Sequence, residues 1–167
     1  RTLGIIGYGR IGKAVARRAR AFGMNIVQHG RSTSSEPGHR TLDALLQESD
    51  YVSLHVPLNF ETRGLMNRAR FGQMKRGAYF LNMARGKTTV EADLVTALEC
   101  GHLAGAALDV FEDEPKVHPK LLAMPNVVLA PHIGGGTHQS RQAARCLAVE
   151  NVARVLRGEA PITPINL

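Results

Sequence analysis

The stretch "LGIIGYGRIGKAVARRARAFG" (Leu3–Gly23), followed by "NIVQHG" (Asn25–Gly30), decides the fold. An apolar run meets a glycine-rich turn, Gly7-Tyr8-Gly9-Arg10-Ile11-Gly12, and passes into an amphipathic stretch with apolar residues at 11, 14, 15, 19 and 22. A second apolar run comes next. A GxGxxG alone is weak. Placed between a strand and a helix, ahead of another strand, it marks a dinucleotide-binding turn. Gly7 permits the tight turn, Gly9 lets backbone approach a pyrophosphate, and Gly12 lets helix and strand pack closely. The start of the helix offers unpaired N–H groups and partial positive charge to phosphates.

Outward from this turn, short apolar runs alternate with helical periodicity. Strands are predicted at Leu3–Gly7, Asn25–His29, Tyr51–Val56, Ala78–Met83, Gly105–Val110 and Val127–Ala130. Most are continuously apolar, as strands of a parallel sheet covered on both faces are. Helices are predicted over Ile11–Phe22, Thr41–Ser49 with Thr41 as cap, Arg68–Met74 after Asn67, Glu91–Cys100 ending at Gly101, and Thr137–Leu156. The pattern implies an α/β, doubly wound, Rossmann-type parallel sheet of about six strands in three layers. Residues 1–157 are expected to form this domain, and residues 158–167, with two prolines, an extended tail.

The 167 residues suit one domain with a sizeable core. The net charge is +7, but Lys and Arg are scattered and aromatics make up 5%, so no stacking face for nucleic acid is expected. No apolar run approaches the roughly 20 residues of a membrane span, and the N-terminus reads as a strand rather than a signal peptide. Cys100 and Cys146 lack metal-type spacing and are expected to be reduced, semi-buried thiols of a cytoplasmic protein. No metal site is expected.

One element of the dinucleotide pattern is missing. An acidic residue usually ends the second strand and holds a ribose hydroxyl. Here that place reads His29-Gly30-Arg31. Gly30 removes both charge and bulk. Arg31 can fork onto a 2′-phosphate, with Ser32 and Thr33 as hydroxyl donors. NADP(H) is therefore the expected preference, with NAD(H) as the other cofactor.

Further motifs follow in order: GxGRIG, then "VPL" with Thr62, "NMARG" (Asn82–Gly86), "LDVFEDEP" (Leu108–Pro115) and "PHIG" (Pro131–Gly134). With these the chain resembles, over essentially its whole length, the cofactor-binding domain of the D-isomer-specific 2-hydroxyacid dehydrogenases, such as glyoxylate/hydroxypyruvate reductases. The resemblance implies an active site of Arg85, Glu114 and His132. Each follows a predicted strand, so each can lie at the carboxyl edge of the sheet. An arginine can anchor a 2-keto carboxylate and polarise the carbonyl. A histidine can deliver a proton as hydride arrives. A carboxylate beside it favours the imidazolium and orients the ring. The resemblance also places Arg10 and Ile11 on the pyrophosphate, and Val56, Pro57 and Thr62 on the ribose side. Asp109 would take the nicotinamide carboxamide. Met83, Ala84, Arg85, His132 and Gly134 would border the nicotinamide ring. Without the resemblance, Glu114 in its acidic run reads equally as a solvated loop charge, and His55, inside an apolar strand, reads as a core histidine.

The sequence departs from the family pattern in three places. The usual Asp-Glu after the N-x-A-R-G loop reads Glu91-Ala92, "HIGGG" is rich in glycine, and no part of the family's second, substrate-closing domain is expected within these residues. The chain is thus expected to be the cofactor half of an oxidoreductase acting on a small 2-keto or 2-hydroxy acid, N-terminally truncated, and a homodimer through this domain. The alternative is a non-catalytic, dinucleotide-sensing domain like the corepressors that share the fold. A formate enzyme would carry Gln in place of Glu114.

Overall fold

The computed structural model describes residues 1–30 and 36–165. The chain forms two units, Arg1–Pro131 and His132–Leu167. The first contains strands β1 (Thr2–Ile6), β2 (Asn25–His29), β3 (Tyr51–Leu54), β4 (Ala78–Asn82), β5 (Leu103–Leu108) and β6 (Val127–Leu129). Its helices are α1 (Arg10–Ala21), α2 (Leu42–Glu48), α3 (Arg68–Gln73), α4 (Glu91–Glu99) and α5 (Pro119–Ala123). The second contains α6 (His138–Leu156).

All six strands are parallel, in the order β2-β1-β3-β4-β5-β6. Each predicted strand is present; β2 keeps its predicted bounds and the others shift at one or both ends. β1 stops before Gly7, which turns at φ +97°. β3 ends at Leu54 rather than Val56, and β4 at Asn82 rather than Met83, because the chain there leaves the ladder to form site loops. β5 starts two residues early, where Leu103 pairs with Ala78 ahead of a register shift. Thr41 and Asn67 cap their helices, accepting from Ala44 N and Arg70 N. Helix α5 and a 3-10 turn at Gly86–Thr88 escape the sequence reading, being too short for a periodic signal.

Alternation along β1 sends side chains to two cores. Leu3 and Ile5 pack with Ala16 and Ala19 of α1. Ile6 joins the larger cluster with Leu45 and Leu46 of α2, Phe71 of α3 and Leu94 of α4. There the Phe71 and Phe80 rings meet edge to face at 5.2 Å. Helices therefore cover both sheet faces, as the continuously apolar strands required. The chain runs from β1 outward to β2, then back across β1 to β3. That reversal creates a crevice outside the carboxyl ends of β1 and β3, the place where such sheets take ligands.

In the second unit, Thr137 caps α6 by accepting from Ser140 N at 3.1 Å. After the helix, Asn151 holds the chain end, accepting from Ile162 N at 2.7 Å and donating to Thr163 Oγ1 at 2.8 Å. No residue of α6 is buried. Both cysteines are exposed, not semi-buried as expected. Cys100 sits at the C-terminal cap of α4, and Cys146 lies on α6. Among the described residues no helix is long and apolar enough to cross a membrane.

Candidate cofactor site

A cleft of about 640 Å³ opens at the carboxyl ends of β1, β2 and β3. Gly7, Gly9, Gly30, Val56, Pro57 and Thr62 are among the residues that line it. Gly7 holds φ +97°, and a Cβ there would lie 2.6 Å from the His55 carbonyl. A Cβ on Gly12 would fall 2.3 Å from Gly7 O, so helix and turn touch through that glycine. Gly9, by contrast, faces open space.

Gly9 is also the N-cap of α1, and it supplies no side-chain acceptor. Among the described residues the other five helices each receive one. Thr41, Asn67, His118 and Thr137 serve α2, α3, α5 and α6, and the Glu112 carboxylate accepts from Glu91 N at the start of α4. Among the described residues no side chain accepts from the first N–H groups of α1, and these lie beside a cleft, a setting that suits an anion. Arg10 and Ile11 occupy its first turn, both exposed.

His29 also lines the cleft, its Nδ1 3.0 Å from Arg40 O. Arg31, Ser32 and Thr33 lie outside the described residues. The cleft wall nevertheless holds a carboxylate that the sequence reading missed: Glu36, 2.8 Å from Lys13 Nζ. The hydrogen bond from Lys13 to Glu36 raises the lysine pKa. Distance from the glycines hid Glu36, since the usual ribose acid stands at the strand end itself.

His55 is not the core histidine expected from its strand-like setting. It lies just past β3, half-buried, and lines the cleft. Its Nε2 is 2.9 Å from Ser53 Oγ, and its Nδ1 is buried with no hydrogen-bond partner among the described residues. Burial lowers its pKa.

The loop carrying Arg85 is organised by Asn82, another residue the sequence reading undervalued. Asn82 is 1% exposed. Its Oδ1 accepts from Ala84 N at 3.0 Å, and its Nδ2 donates to Arg85 O, Thr88 Oγ1 and Thr89 Oγ1 at 3.1–3.3 Å. Ala84 is buried, whereas Met83 and Arg85 are exposed. Gly86 then packs against Phe111, so this loop and the "LDVFEDEP" loop are held together. Glu91 and Glu112 add reciprocal bonds: Glu112 N donates to Glu91 Oε1 at 2.7 Å, and Glu91 N to Glu112 Oε2 at 3.1 Å. Burial raises the pKa of Glu91. Within the second loop Glu114 is exposed and accepts from Phe111 N at 3.0 Å. Asp109 is buried, and its N–H donates to Asn82 O at 3.1 Å.

His132 opens the second unit. It is exposed, with φ 53°, an uncommon conformation outside glycine. Gly134, two residues on, is also exposed.

Comparison with known proteins fits this geometry. The family described as "D-isomer specific 2-hydroxyacid dehydrogenase, NAD binding domain" matches residues 1–134. A glyoxylate reductase of Thermococcus kodakarensis is 45% identical over 99% of this chain and 52% of its own length. A D-3-phosphoglycerate dehydrogenase of Bacillus subtilis is 40% identical over 100% of this chain and 33% of its own. Among solved structures, an NADPH-dependent glyoxylate/hydroxypyruvate reductase from Sinorhizobium meliloti, in complex with NADP and malonate, superposes with a TM-score of 0.93 at 39% identity. That match covers 99% of this chain and 53% of that one. The chain spans about half the length of the reductases it matches. It belongs to the D-isomer specific 2-hydroxyacid dehydrogenase family, through that family's NAD-binding domain.

Proposed function

We propose that this chain is the cofactor domain of an oxidoreductase that interconverts a small 2-keto acid and its D-2-hydroxy acid, with NADP(H) preferred over NAD(H). The observation that carries the reading is the uncapped amino end of α1, set behind Gly7-Tyr8-Gly9 at the wall of the cleft. A pyrophosphate there would receive the N–H groups that no described side chain takes. The NADP preference rests on the missing strand-end acid and on Arg31, with Ser32 and Thr33 as donors. The NADPH-dependent Sinorhizobium relative supports it. Glyoxylate and hydroxypyruvate are the substrates its relatives' names suggest.

In the reaction, Arg85 anchors the substrate carboxylate and polarises the 2-carbonyl. His132 gives a proton to the carbonyl oxygen in the reducing direction and takes it back in the other. Glu114 orients that imidazole. The nicotinamide, when bound, supplies or accepts the hydride. Asp109 would meet the carboxamide, and Met83, Ala84 and Gly134 would border the ring. The domain acts within a homodimer in the cytoplasm, closed by a substrate domain that excludes water. The names of the relatives are those of enzymes, and none favours a corepressor-like role.

The test is calorimetric titration of the chain with NADPH and NADH in parallel. NADPH is expected to bind more tightly, and Arg31→Ala to remove the difference. Tighter NADH binding would sink the phosphate reading. Binding of neither would sink the dinucleotide reading.

A further inference from the structure

We infer that Lys13 and Glu36 form a charge-exchange pair that sets which dinucleotide the cleft takes. Lys13 is a further cation for a 2′-phosphate, and Glu36 is the carboxylate that accepts a ribose 2′-hydroxyl when no phosphate is there. The inference rests on the dinucleotide reading of the cleft and deepens it.

The two residues reach the same place from different elements. Lys13 is the fourth residue of α1, immediately after Gly12. Glu36 comes from the segment after β2, beyond the point where the usual acid would stand. Both line the cleft together with Gly9 and Gly30, and their charged atoms are 2.8 Å apart. Among the described residues, a Cβ on Gly30 would have Tyr8 N as its nearest neighbour, at 3.8 Å. No acid stands at the strand end itself, and the ion pair lines the same cleft.

The chemistry of the pair fits exchange. Its side chains are 55% and 46% exposed, so a ligand reaches both. An ion pair in that setting is held weakly and gives up its partner at little cost. An ammonium on a flexible stem carries three donors and can turn from one acceptor to another. A 2′-phosphate brings about two negative charges. It would draw Lys13 and be repelled by Glu36, so NADP(H) binds against the carboxylate and with the lysine. A ribose without the phosphate offers hydroxyl donors instead. A carboxylate has about four lone-pair sites, so Glu36 can keep Lys13 and accept a hydroxyl at once. The acid missing from the strand end is thus replaced from the following segment, in a form that a phosphate can displace.

Two single variants push in opposite directions. Lys13→Gln and Glu36→Gln are titrated with NADPH and NADH by calorimetry, beside the unaltered chain. Thermal melting is followed as a check that both exposed substitutions leave the fold intact. Lys13→Gln is expected to weaken NADPH binding by about tenfold, the worth of one charge-assisted contact, and to leave NADH within about twofold. Glu36→Gln is expected to tighten NADPH and weaken NADH, each by about three- to tenfold. Opposite movement of the NADPH-to-NADH ratio in the two variants supports the pair as selector. A ratio unmoved, or moved the same way by both, overturns it while the dinucleotide reading stands. If the unaltered chain binds neither cofactor, the reading itself falls and the inference with it.

Discussion

Gly86 and Phe111 approach so closely that a Cβ on the glycine would lie 1.7 Å from the Phe111 carbonyl oxygen. The contact joins the loop after β4, which carries Arg85, to the loop after β5, which carries Glu114. It involves backbone on both sides, so no side chain can swing away to make room. Gly86→Ala must therefore push the two loops apart. The expected cost is about 3 kcal/mol, the upper end for overpacking, read as a lower midpoint in urea unfolding. An alanine variant as stable as the unaltered chain would show that the loops separate freely.

Glu91 and Glu112 brace the same junction through their reciprocal bonds. Removing the acceptor in Glu91→Ala leaves the Glu112 N–H without it and is expected to cost about 1–2 kcal/mol. Glu91→Gln keeps an acceptor and loses the charge. Because burial raises the Glu91 pKa, the ionised form is the one the fold disfavours. This group's contribution therefore falls as pH rises from its ordinary 4.5 through the raised value. At neutral pH the expected order of stability is Gln at or above Glu, and both above Ala. Equilibrium unfolding of the three at pH 7 and pH 4 checks the order, the narrowing of the Gln–Glu gap in acid and the widening of the Glu–Ala gap.

These junctions mark the limit of what the sequence made legible. The strand–turn–helix at Leu3–Gly23 was readable because local chemistry decides it: glycines at fixed spacing, then apolar residues at helical spacing. The six parallel strands were readable because burial on both faces leaves continuous apolar runs. What could not be read are contacts between loops distant in the chain. Asn82 looked like a motif letter, yet its amide organises four bonds that shape the Arg85 loop. Glu36 drew no reading from the sequence, and only the fold brings it to Lys13. His55 looked like strand interior, but β3 ends one residue earlier. No periodicity or spacing encodes such meetings.

His55 gives a prediction about pH. Its burial holds the imidazole pKa below the ordinary 6.5. An unfolded chain takes up this proton near pH 6.5, whereas the folded chain takes it up only at lower pH. The contribution of His55 to stability is therefore present above about pH 6.5 and is lost as pH falls below it. His55→Gln removes that dependence. Between about pH 7.5 and pH 5.5 the unaltered chain is expected to lose more stability than the variant. Parallel pH profiles for the two proteins would refute the burial argument.

Asp50 is expected to anchor the amino end of β1, opposite to the end that bears the glycine turn. Its Oδ2 accepts from Thr2 N at 2.8 Å, and its Oδ1 is 3.1 Å from Lys75 Nζ. Asp50 N in turn donates to Thr2 O at 2.9 Å. The Thr2 bond first, and Lys75 second, hold the carboxyl pKa below its ordinary 3.8. A depressed carboxylate contributes stability above its unfolded value and loses it as pH falls through the folded one. Asp50→Asn keeps an acceptor for Thr2 but loses the charge facing Lys75. It is expected to cost about 1 kcal/mol at pH 7. The gap should start to narrow as pH falls below about 4 and close only below the depressed folded value, where the unaltered carboxylate is neutral too. Amide exchange at the start of β1 should quicken in the variant at neutral pH. If the gap persists unchanged into acid, the stabilisation comes from packing around Asp50 and not from its charge.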